Sequence, residues 1–117
     1  ASRLNLESVL YNIKLQYNEM PAEKQAILIP VLSSMLKELP ESYKWMVLDF
    51  SSGKIVDVSP EYQAELVDSF LKLLKKQDIS DYLKRETITF LQTAKFILKE
   101  ELKDEIEREL LKIKEEK

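Results

Sequence analysis

The sequence predicts a mainly α protein: a compact domain of four helices, with one β-hairpin inserted between the second and third and a long C-terminal helix. Three observations carry that prediction. Apolar residues recur every three or four positions over most of the 117 residues, the spacing of helices that bury one face. One stretch, Tyr43 to Val58, departs from that spacing and contains both the only Trp and the only Gly. Four Pro and one Gly leave little material for linkers, so residues 1–117 read as a single helical domain.

In chain order, Asn5 is placed to cap a first helix, with Leu4 and Val9 stapled across the cap. Leu6, Val9, Leu10, Ile13 and Tyr17 form its apolar stripe. Pro21 and Glu23 open a second helix, whose stripe runs from Ile27 to Leu39. Pro30 inside it removes the bond to the Ala26 carbonyl and predicts a kink, and Pro40 ends it. Ser59-Pro60-Glu61 combines a hydroxyl cap, a proline at the first helical position and an early carboxylate; it starts a third helix that ends near Lys75 and Lys76. Asp78 or Ser80 caps the last helix. No Gly or Pro interrupts Ile79 to Lys117, so residues 98–117 are expected to project, the alternative being a break near Lys99 with the chain folding back. No internal repeat is visible.

The hairpin reading rests on Ser51-Ser52-Gly53, a loop that Gly53 would close in the left-handed region. Phe50 opposite Lys54 then pairs Leu48 with Val56 and Met46 with Val58 on an apolar face. The other face pairs Val47 with Asp57 and Asp49 with Ile55.

Composition excludes more chemistry than it assigns. Cys and His are both absent, which removes disulfides, thiolate nucleophiles, Cys/His zinc sites and imidazole bases. No catalytic residue, cofactor site or metal site is read, and the chain is read as no enzyme. A net charge of −3 gives no overall field toward nucleic acid or anionic lipid. Lys or Glu interrupts every long apolar segment, so no membrane span is expected, and no signal peptide is visible. Those features and the lack of Cys fit a cytoplasmic protein. Abundant Leu, Ile, Lys and Glu resemble a thermophile's composition. Ser52-Gly53-Lys54 is a fragment of a phosphate loop without its other residues, and is better read as the hairpin turn. Asp49 and Asp57 share a strand face, where solvated carboxylates keep a hairpin soluble; as a pair they bind a divalent cation weakly.

Two function classes follow. The first is a non-enzymatic interaction or assembly module that binds a protein partner or a second copy of itself. Its contacts would be Trp45, Val47 and Ile55 on the outer hairpin face, whose strand edges are unpaired, and the narrow seam Leu102, Ile106, Leu110 and Ile113. The second is a nucleic-acid-binding accessory domain of a replication or transcription protein. Lys72, Lys75, Lys76, Lys84 and Arg85 would meet phosphates, while Tyr82 or the trio Tyr43, Lys44 and Trp45 would stack on bases. The bland reading of those cations is that they offset a helix C-terminus and pair with neighbouring acids.

Overall fold

A computed structural model of the chain describes the backbone of residues 2–76 and 78–115, with side chains for 6–76 and 78–114. Six α-helices and three short 3-10 turns account for its secondary structure, and no strand occurs among the described residues. The helices are α1 (Ser2–Gln16), α2 (Ala22–Ser33), α3 (Glu41–Lys54), α4 (Pro60–Leu74), α5 (Asp81–Ala94) and α6 (Glu100–Glu115).

The mainly α expectation holds and the hairpin does not. Residues 41–54 form α3, and Ile55–Asp57 continue as a 3-10 turn. Its buried positions Lys44, Val47, Leu48, Ser51 and Ile55 have helical spacing, but two of them are polar, which hid the stripe. Lys44 is buried because its Nζ donates to the Leu39 carbonyl at 2.6 Å, closing the turn before the helix. Gly53 does not have a positive φ and closes no loop. The expected pairs, Leu48 with Val56 and Asp49 with Ile55 among them, therefore lie along one helix and its end.

Other boundaries move for local reasons. α1 already includes Asn5, so Asn5 is inside the helix; the packing of Leu4 falls outside the described side chains. Pro30 stands in the last turn of α2, which ends at Ser33. There the hydroxyls of Ser33 and Ser34 donate to the Ile29 and Val31 carbonyls at 3.0 and 2.7 Å. Pro60 opens α4 as expected, and Ser80 caps α5 by accepting from Leu83 N at 3.1 Å. The long last helix is two helices. Phe96 N donates to Thr93 O and Ile97 N to Ala94 O, turning the chain, and α6 folds back onto α4 and α5 with Ile106 fully buried. The C-terminal segment thus packs against the body of the fold and does not project.

A repeat that the sequence did not show organises the first three helix junctions. The 3-10 turns begin at Tyr17, Leu36 and Ile55, nineteen residues apart, and each is followed by an extended residue, Met20, Leu39 or Val58. Pro21, Pro40 and Ser59 come next, and then a helix. Four residues further on stand Gln25, Lys44 and Gln63, all buried, each donating back to a carbonyl of the preceding turn or its cap. Gln25 reaches Tyr17 O at 2.6 Å and Gln63 reaches Ile55 O at 2.9 Å.

This regular return of the chain stacks the helices in two layers. α2, α4 and α6 pack in succession in one layer, and α3 and α5 lie side by side in the other. The molecule measures 40 × 31 × 19 Å, and the shortest extent is that of two helices of about 10 Å each. The architecture is that of a short α-solenoid, in which each unit buries its apolar face against its neighbours. Leu66, Val67, Phe70, Leu83, Leu91 and Ile106 are the centre of the core. Phe70 and Phe90 meet edge to face there, with ring centroids 5.1 Å apart. Tyr17 stacks on Phe50 at the edge, where burial pushes the Tyr17 phenol above its ordinary pKa.

Candidate interaction surface

The residues first read as contacts are distributed differently by the fold. Val47 is fully buried and Ile55 is 2% exposed, so neither is presented to a partner; Trp45 is half-buried against Tyr82 at 5.1 Å. In the seam, Leu102 and Ile106 lie in the core, while Leu110 and Ile113 pack at its margin. That stripe is narrow because α6 meets α4 and α5 along a single line of contact.

The basic residues are largely spoken for. Lys72 pairs with Asp68 at 3.0 Å, Lys75 with Glu109 at 3.0 Å, and Lys76 with Asp78 at 3.6 Å. Lys75 and then Lys112 hold the Glu109 carboxyl below its ordinary pKa, tying the end of α4 to α6. Lys44 is buried, and Tyr43 is half-buried beside it. Lys84 is half-exposed and Arg85 exposed on the first turns of α5; they form no ion pair among the described residues.

A crevice of about 140 Å³ gathers Lys37, Lys72 and Lys76 with Ser33, Ser34 and Ser69. It lies at the C-terminal ends of α2 and α4, whose dipoles place partial negative charge there. Lys76 Nζ donates to Lys37 O of the 3-10 turn after α2 at 3.0 Å and Lys72 pairs with Asp68, so two of the three cations are satisfied without a bound anion. Asp49 and Asp57 are not on a strand: Asp49 lies in α3 and Asp57 in the 3-10 turn after it, where it meets Lys54 at 3.9 Å. Among the described residues no group of three or more metal-ligating side chains comes together.

The surface that sequence reasoning missed is the outer side of α2. Ile27 is 67% and Val31 54% exposed, and with Met20, Leu28 and the stem of Lys24 they line an almost wholly apolar depression of about 300 Å³. Unlike α4, α5 and α6, which have one apolar face each, α2 is apolar nearly all round. Such a helix belongs between two packed surfaces. The signal in the sequence is the breadth of its stripe, in which Ile27, Leu28, Val31 and Leu32 are all apolar.

The repeat explains what the second side is for. Ser69 and Leu73 of α4 face the end of α2 across the lysine crevice. Two periods earlier stand Val31 and Met35, so the exposed side of α2 is the side on which α4 receives its neighbour. At the other end, α6 carries Glu101, Asp104, Arg108 and Lys112 exposed to solvent, as a terminal helix of a solenoid does. The exposed side of α6 is mainly charged, with Leu111 exposed among those residues, whereas the exposed side of α2 is apolar.

No helix among the described residues is long and apolar enough to cross a membrane. No protein-family model, curated protein or solved structure matches this chain.

Proposed function

We propose that the protein is a non-enzymatic assembly module that associates through the outer side of α2, and that its partner there is a second copy of the same chain. The observation that supports the reading is the exposure of Ile27 and Val31 at the position where the repeat elsewhere stacks one helix on another. A contiguous apolar face of this kind is a recognised mark of an interaction site.

The polarity of the two ends selects the geometry. Head-to-tail growth would set Ile27 and Val31 against the charged outer side of α6, where Glu101 and Asp104 would be desolvated without partners. Pairing two α2 faces about a two-fold axis buries both apolar ends and leaves charged ends outward, so assembly stops at two.

Sedimentation velocity at micromolar concentration tests this. A dimer is expected, and the double substitution Ile27→Asp with Val31→Asp should convert it to a monomer with unchanged helical circular dichroism. A monomer for the unmodified chain, or a dimer that survives both substitutions, would overturn the proposal.

A further inference from the structure

A second surface, on the opposite layer, has a different chemistry. α3 and α5 run in the same direction. At their starts Ser80 N donates to Glu41 Oε1 at 3.0 Å, and one turn on Trp45 meets Tyr82; toward their ends Ile55 lies near Ala94. Between them is a groove of about 260 Å³ with Leu48, Phe90 and Ala94 in its floor, and with Trp45 at one end and Ile97 at the other. From Trp45 to Ile55 it follows about 15 Å of helix, or nearly three turns.

The rim of the groove is acidic. Asp49 and Glu86 stand on it, hydroxyls of Ser52 and Thr93 fill in between, and no Lys or Arg lines it. Among the described residues neither Asp49 nor Glu86 has a cation within 4.0 Å. Because the two helices are parallel, the negative ends of both dipoles also converge where the groove reaches Ile55 and Ala94.

We infer that this groove takes an amphipathic helix from a protein partner, its apolar face lying over the groove between Trp45 and Ile97 and its flanks carrying Lys or Arg against Asp49 and Glu86. The length matches a helix anchored at i, i+3 or i+4, and i+7, the spacing by which such helices fill grooves. The unpaired carboxylates select the charge of its flanks and speed the encounter. A small amine would answer the carboxylates but leave Trp45 and Ile97 uncovered. The inference is independent of pairing through α2, which uses the other layer.

Trp45 is the only tryptophan and reports occupancy directly. Two synthetic helical peptides with the same apolar stripe, one flanked by Lys and Arg and the other by Glu, are titrated against the full chain while Trp45 emission is followed. The cationic peptide should bind about ten-fold more tightly at low salt, with the gap narrowing as salt rises. The double variant Asp49→Lys with Glu86→Lys, checked for folding by circular dichroism, should reverse the preference. Equal affinities, no binding by either peptide, or an unreversed preference would overturn the inference. So would a saturating Trp45 response to spermidine alone at the peptide's concentration, which would mark the groove as a small-amine site.

Discussion

Gln25 and Gln63 do the same work in two different helices: each side-chain amide reaches back eight residues and donates to the first carbonyl of the preceding 3-10 turn. Both are buried, and both fix the angle at which one helix leaves the turn for the next. Lys44 stands midway between them in sequence and closes the junction between α2 and α3 with a longer arm. The stack is therefore set by three hydrogen bonds from side chains that a hydropathy pattern scores as surface.

Replacing either glutamine should carry a similar penalty. Gln25→Ala and Gln63→Ala each remove a buried hydrogen bond and leave a small void, so each is expected to cost about 1–2 kcal/mol. Urea denaturation followed by circular dichroism measures both; a neutral result for either would show that its junction is held by packing alone.

Gly53 tests the helix directly. It has no positive φ, and a Cβ built there meets nothing within 4 Å beyond its chain neighbours and the backbone of its own helix. Gly53→Ala should stabilise the protein by about 0.5–1 kcal/mol, because the residue gains helix propensity and the unfolded chain loses freedom. Were residues 51–53 a left-handed loop, the same change would destabilise.

Lys44→Met keeps most of the buried stem but orphans the Leu39 carbonyl, and should cost about 1–3 kcal/mol. Burial, with Lys76 adding to it against the pull of Asp78 and Glu41, holds the Lys44 ammonium below its ordinary pKa of 10.5. Between the lowered folded value and 10.5 the unfolded chain holds more protons, so the folded state gains stability as pH rises through that window. The stability difference between the unmodified chain and Lys44→Met should therefore widen with rising pH across that window. Denaturation series at neutral and alkaline pH check the sign, and a difference that narrows would contradict the burial.

Ile106 and Ile27 should answer the same substitution in opposite ways. Ile106 is fully buried, so Ile106→Asp places an unpaired carboxylate in the core and should cost more than about 4 kcal/mol, visible as loss of the cooperative thermal transition. Ile27 is mostly solvent-exposed, and Ile27→Asp should shift monomer stability by no more than about 0.5 kcal/mol while weakening association. Comparable melting curves for the two variants would contradict the assignment of core and contact surface.

By itself the sequence determined a mainly helical protein, the start signals at Pro21 and Pro60, a cap at either Asp78 or Ser80 of which the structure uses Ser80, and the apolar positions of α4 such as Leu66, Val67 and Phe70. It also excluded thiol and imidazole chemistry, since those groups are simply not present. Only the tertiary structure decided that residues 41–54 are helical, because two positions of the buried stripe are Lys44 and Ser51, and a lysine counts as core only once a carbonyl such as that of Leu39 receives its ammonium. It alone decided the break after Ala94 as well. With no Gly or Pro to mark that turn, the deciding term is the burial of Leu102 and Ile106 when α6 folds back against α4 and α5. For the same reason the proposed contact surface is α2 and not a strand edge: which apolar face remains uncovered depends on how many neighbours the fold supplies, and that number is not written in the spacing of one helix.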